Sequence, residues 1–161
     1  LIDLIDPKKD VDGLREDSPF MPAVVRAVKE VLLQVPNYSH LQEDLLQSVL
    51  ILGSEGFVGK RLMREFPGAM GMDEEDFPTS SGRAGLRRAD VIISCTGQAG
   101  LIKPEMVKNG VIAIDVGYPK GDFDLEVAKK AAFFTPVPGG VGPVTVVMLF
   151  KNLLSTIVVD C

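Results

Sequence analysis

The sequence predicts an α/β fold, a three-layer sandwich with helices on both faces of a mostly parallel sheet. Three observations carry that prediction. Short, continuous apolar runs at 49–52, 90–95, 111–116 and 133–135 read as strands buried on both faces, which is how parallel strands look. Helix-compatible segments separate them in alternation. The first run passes directly into Gly53-x-x-Gly56-x-x-Gly59 and then a helical stretch over 60–66, the order of a doubly wound, Rossmann-like unit. With 161 residues and 46% hydrophobic content the chain can bury one proper core. Residues 1–21 read as a lead-in from an upstream, amino-terminal domain, and 22–161 as one nucleotide-binding domain.

Taken in order, the chain opens on Leu1-Ile2-Asp3-Leu4 without an initiator Met, as though something upstream were removed. The polar loop Pro7-Lys8-Lys9-Asp10-Val11-Asp12-Gly13 follows; were it extended, Asp10 and Asp12 would share a face. From Pro22, Val24, Val25, Val28, Val31, Leu32 and Val35 recur at helical spacing, and Pro36 ends the element. One or two further turns are expected over 41–48. After the glycine loop come a short apolar segment (69–72), an acidic then polar loop (73–81) and a short helix over 82–88. Segment 102–110 carries Pro and Glu at its start, Lys near its end and Gly past it, the signature of a short helix. Segment 124–131 reads as a helix capped by Asp124. A long apolar helix is expected from Val144 to about Val159, entered through Pro143.

The glycine loop is where chemistry is expected. Glycines allow a tight turn and close backbone approach to a pyrophosphate, while the first-turn N–H groups of the helix face the anion. Asp73 lies twenty residues beyond Gly53, where a carboxylate accepts from a ribose 2′-hydroxyl. The plainer reading is a β-turn with a solvated Asp. Ser54, Glu55, Val58, Thr96 and Gly97 complete the expected cofactor-binding set on this side.

Other features narrow the function by exclusion. The net charge is −5, there is no Trp, and no Lys/Arg cluster is interleaved with aromatics, which argues against nucleic acid. No apolar run reaches the roughly 18 residues of a membrane span, no secretory signal is visible, and a cytoplasmic location is expected. Cys95 and Cys161 form neither a disulfide framework nor a metal motif, so no metal is expected. The lone His40 sits in a turn-like stretch with no nucleophile beside it.

Six of the eleven residues from Thr135 to Thr145 are Pro or Gly. Such a loop is stiff and bare, and suits a flat ligand lying against the main chain. This run, together with Lys9-Asp10-Val11-Asp12-Gly13, the glycine loop, Thr96-Gly97-Gln98 and 108–117, resembles the bifunctional methylenetetrahydrofolate dehydrogenase/methenyltetrahydrofolate cyclohydrolase family, in its order and near its spacing. The resemblance covers the family's cofactor domain and lead-in. It implies oxidation of 5,10-methylenetetrahydrofolate by hydride transfer to a nicotinamide cofactor, then hydrolysis of the methenyl group to the 10-formyl product. It implies that Asp12 holds the pterin's amino-pyrimidine edge, as the catalytic and substrate-binding carboxylate, with Pro138, Gly139, Gly142 and Pro143 walling the folate. Gly53, Val116, Tyr118 and Thr145 match cofactor contacts, and a homodimer is implied.

Departures from the family pattern carry expectations of their own. Its Tyr-x-x-x-Lys pair is absent, which implies an amino-terminal catalytic domain that this sequence lacks. Ser54-Glu55 replaces the usual Arg-Ser. With Asp73, Glu74, Glu75 and Asp76 it would repel a 2′-phosphate, which favours NAD over NADP. The family's Pro-Cys-Thr-Pro is here Pro22-Ala23-Val24-Val25, which leaves closure of the cleft open. Two other readings stand beside this one: a non-catalytic nucleotide-binding module, and a different NAD-dependent dehydrogenase, which would need a catalytic His.

Overall fold

In the computed structural model, residues 2–36, 48–77 and 79–158 are described. The strands are β1 (Val49–Leu52), β2 (Met70–Met72), β3 (Val91–Ser94), β4 (Ile112–Asp115) and β5 (Phe133–Phe134); the α-helices are α1 (Ala23–Leu32), α2 (Phe57–Glu65), α3 (Ser80–Arg88) and α4 (Val141–Val158). The sheet is wholly parallel, in the order β2-β1-β3-β4-β5. This is the predicted Rossmann-like sandwich.

Every residue of β1, β3 and β4 is buried. The pleat sends alternate side chains to opposite layers. Val49, Ile51, Val91, Ile93, Ile112 and Ile114 pack with α1, α2 and α4. Leu50, Leu52, Ile92 and Ala113 pack with Leu86 of α3 and with Ile102, Phe123 and Val127. Continuous apolar runs in the sequence therefore serve two cores.

Register decides where the site falls. Leu52 pairs with both Met72 and Ser94, and Ser94 pairs with Asp115, so these strands end level and their exits share one rim.

Three expected helices differ in kind or extent. Residues Leu125–Lys129 and Pro104–Met106 are 3-10 turns, not α-helices. The Pro104–Met106 turn goes no further, its end held by Lys130 Nζ, which donates to the carbonyls of Pro104 and Val107, each at 2.7 Å. Asp124 does cap, accepting from the Glu126 amide at 3.0 Å. The long helix α4 starts at Val141, with Pro143 inside its first turn, where a missing N–H costs nothing. The turns expected over 41–48 fall almost wholly on 37–47, outside the described residues, as do Tyr38, His40 and Cys161.

The leading segment packs onto the sandwich. Arg61 Nη2 of α2 donates to the Leu14 carbonyl at 2.7 Å, and Asn152 Nδ2 of α4 donates to Val11 and Met21 carbonyls at 2.8 and 3.1 Å. Asn152 is held in turn by Arg26 of α1 at 2.8 Å.

Candidate functional site

The glycine loop sits at the β1 exit. Gly53 has φ +81, and a Cβ there would lie 2.9 Å from the Cys95 carbonyl oxygen. At Gly59 a Cβ would run into the Gly53 carbonyl oxygen. These two positions let α2 start hard against the strand end. The first-turn N–H groups of α2, those of Phe57, Val58 and Gly59, have no intrahelical acceptor by geometry. Exposed Gly56 precedes them, with no side chain to compete for those donors. A backbone cradle, sterically open and positive in potential, is what a pyrophosphate requires, so the residues present fit a dinucleotide.

Asp73 stands beside this loop at the β2 exit. Ser54 Oγ donates to its carboxylate in a short hydrogen bond, and the Glu55 amide donates at 3.2 Å. Glu74, Glu75 and Asp76 follow in an exposed 3-10 turn, and Gln98 Nε2 reaches Glu74 Oε2 at 3.1 Å. The wall next to the cradle is thus acidic.

On the other half of the rim, a cleft of about 340 Å³ lies between the β4 and β5 exits. Among its lining residues are Val24, Val116, Tyr118, Pro138, Gly139, Gly142, Pro143 and Thr145. Seven of the residues predicted from sequence therefore meet in one place. Gly139 has φ +108, and Tyr118 projects into solvent at the mouth. Thr145 donates back to the Val141 carbonyl at 3.0 Å within the first turn of α4.

The structure separates the two aspartates of the leading loop. That loop is not extended: the Gly13 amide donates to the Asp10 carbonyl across a turn. Asp10 is buried, and its two oxygens accept from the amides of Leu14 and Arg15 at 3.0 and 2.8 Å. It is a loop staple. Asp12 is exposed, and partial desolvation followed by the Asp10 charge raises its pKa. The Asp12 carbonyl accepts from the Ala23 amide at 3.3 Å, beside Val24 of the cleft.

Two carboxylates that sequence reading missed join the halves. Asp115, at the end of β4, accepts from the amides of Gly117, Asp122 and Phe123 at 2.9, 3.1 and 3.1 Å. Burial raises its pKa against those hydrogen bonds. Asp122 accepts from Ser94 and from Thr96 and Gly97 of the β3 exit. A charged residue closing an apolar strand run was the visible signal at Asp115; nothing local marked Asp122. Cys95 is no nucleophile, since burial, then Asp122 and Asp73, push its thiol up to about 12. Among the described residues no group of three His, Cys, Asp or Glu side chains could hold a metal, and no helix is long and apolar enough to cross a membrane.

Comparison with known proteins agrees with this geometry. The family model for the tetrahydrofolate dehydrogenase/cyclohydrolase NAD(P)-binding domain matches residues 39–160. The bifunctional protein FolD of Nautilia profundicola is 35% identical over 96% of this chain, which spans 59% of that relative's length. A 5,10-methylenetetrahydrofolate dehydrogenase from the silkworm superposes with a TM-score of 0.77 at 33% identity, over 96% of this chain and 60% of that one. The Trypanosoma brucei methylenetetrahydrofolate dehydrogenase-cyclohydrolase, solved with NADP and an inhibitor, gives 0.76 at 30% identity, over 94% and 59%. The level rim, the glycine cradle and the proline-glycine cleft thus belong to a member of the tetrahydrofolate dehydrogenase/cyclohydrolase family, and this chain holds its NAD(P)-binding domain.

Proposed function

We propose that the chain is the cofactor-binding part of an enzyme that oxidises 5,10-methylenetetrahydrofolate to the 5,10-methenyl form and hydrolyses that to 10-formyltetrahydrofolate. The single observation that carries this reading is the shared rim: the dinucleotide cradle and the proline-glycine cleft open on the same edge, bridged by Asp115 and Asp122. Bound nicotinamide supplies a hydride acceptor for the methylene carbon. The chain's own residues bind and orient. Gly53, Gly56, Val58 and Gly59 offer backbone to the pyrophosphate, with Thr96, Gly97, Val116, Tyr118 and Thr145 along the nicotinamide side. Pro138, Gly139, Gly142 and Pro143 form a stiff wall for the pterin. Asp12 offers two acceptor oxygens to the amino-pyrimidine edge, where charge strengthens the pair. Its partner Asp10 is already engaged, which supports Asp12 as the ligand.

NAD is the favoured cofactor. The acidic wall of Asp73 to Asp76 and Glu55 supports this, since a 2′-phosphate there meets like charges and no Arg stands after Gly53.

In the whole protein, residues 22–161 form this domain and 1–21 lead in from an amino-terminal domain that supplies the catalytic Lys. Val146, Val147, Phe150, Leu153 and Leu154 are 42–59% exposed along one side of α4, an apolar surface that supports further structure packing there. The protein works as a cytoplasmic homodimer.

The test is oxidation of 5,10-methylenetetrahydrofolate by the full-length protein with each cofactor, repeated with Asp12→Ala. Turnover with NAD exceeds that with NADP, and the substitution lowers kcat/KM by about a hundredfold, the loss of a charge-assisted pair. Unchanged turnover removes Asp12 from the site, and tighter NADP binding by calorimetry reverses the cofactor assignment.

A further inference from the structure

We propose that Asp122 is a positioning residue that bolts the β3 exit, on the dinucleotide side, to the β4 exit, on the pterin side, and so sets the separation at which the two ligands meet. The identity of those ligands rests on the function proposed above; the bolt rests on the contacts. Asp122 has no exposed surface. Its Oδ2 accepts from Ser94 Oγ at 2.7 Å, the Thr96 amide at 2.8 Å, Thr96 Oγ1 at 2.9 Å and the Gly97 amide at 3.3 Å. On the other side its own amide donates to Asp115 Oδ1 at 3.1 Å, and its carbonyl accepts from the Ile102 amide at 3.0 Å. Asp115 meanwhile holds the amides of Gly117 and Phe123. One residue therefore grips one exit through its side chain and the other through its backbone.

The remaining oxygen sharpens the assignment. Asp122 Oδ1 is buried and has no hydrogen-bond partner among the described residues. It abuts Gly117, where a Cβ would collide with it. A side chain kept only to fill space would not leave a carboxylate oxygen unpaired, because that is costly. Negative charge does strengthen the bonds that orient the Thr96 and Gly97 amides. Gly117 also lines the cleft, so displacement of Asp122 reaches both ligand sites.

The experiment has two arms. In the first, amide hydrogen exchange is followed residue by residue on the full-length protein without ligand, in wild type, Asp122→Ala and Asp122→Asn. Alanine is expected to speed exchange about tenfold or more at Thr96 and Gly97, and also at Gly117 and Phe123, whose amides bond Asp115 and not Asp122. Asparagine, which keeps an acceptor at Oδ2, is expected to restore most of the protection. Acceleration confined to Thr96 and Gly97 overturns the bolt, as does uniform acceleration through β1 and α2, which would mark a general structural role.

In the second arm, folate oxidation by the full-length protein is measured at saturating substrate and cofactor. Asp122→Ala lowers kcat about tenfold with smaller changes in either KM, and Asp122→Asn recovers it, the pattern of misplaced rather than lost binding. A folded Asp122→Ala protein with wild-type kcat overturns the proposal. If wild type itself does not turn over folate, the functional reading fails, and the exchange arm alone decides whether the two exits are bolted.

Discussion

At the scale of single residues, the buried carboxylates differ in what each oxygen does. Both oxygens of Asp115 accept backbone N–H groups, so Asp115→Asn must turn an NH₂ toward a donor. It is expected to cost about 1–3 kcal/mol in urea unfolding. Asp122→Asn leaves its amide nitrogen where no bond exists, and stays within about 1 kcal/mol of wild type. A surface pair gives a pH signature. Burial pulls the Asp90 pKa up, but hydrogen bonds from Lys108 and Ser48, with the ammonium charge, hold it below the usual carboxylate value. A lowered folded-state pKa stabilises above the unfolded value, and that contribution is lost as pH falls through the folded one. Lys108→Ala therefore costs less than about 1 kcal/mol at pH 7, since the pair is partly exposed, and the gap to wild type closes on acidification.

At the scale of elements, the β1-loop-α2 unit depends on contact between two backbones. Gly59→Ala drives a methyl into the Gly53 carbonyl, which forces α2 away from the strand. The expected result is about 1–3 kcal/mol of destabilisation, together with weaker dinucleotide binding by calorimetry. This unit was legible because three signals coincide within 49–66: an apolar run, spaced glycines and a helical stretch. The 3-10 turns at 104–106 and 125–129 were not, because their end signals suit any short helical turn, and at 104–106 the closing bonds come from distant Lys130. The leading loop was half legible. Two aspartates are visible in the string, but the turn that buries Asp10 and leaves Asp12 outside comes from the bond between Gly13 and Asp10. Asp122 was illegible, since its side-chain partners lie 25–28 residues away and no periodicity records them.

For the molecule as a whole, the carboxylate proposed to hold the pterin rides on a segment outside the sheet. Asn152 fastens that segment through the Val11 and Met21 carbonyls and is steadied by Arg26. Asn152→Ala removes a buried side chain that pairs these half-buried groups and is expected to destabilise by about 1–3 kcal/mol. It also makes residues 8–20 more open to limited proteolysis than in wild type, while the strands stay protected.

The clamp at Asn152 also has a consequence in time. It joins positions 141 residues apart. During translation the ribosome releases Val11 long before the asparagine that will grip it, and loop closure over such a span is slow. The nascent chain can form its central strands first, and Ala23 and Arg61 hold the leading segment early, but the Asn152 grip on Val11 and Met21 closes only after α4 has emerged. The berth that holds Asp12 is therefore completed only once α4 has been made.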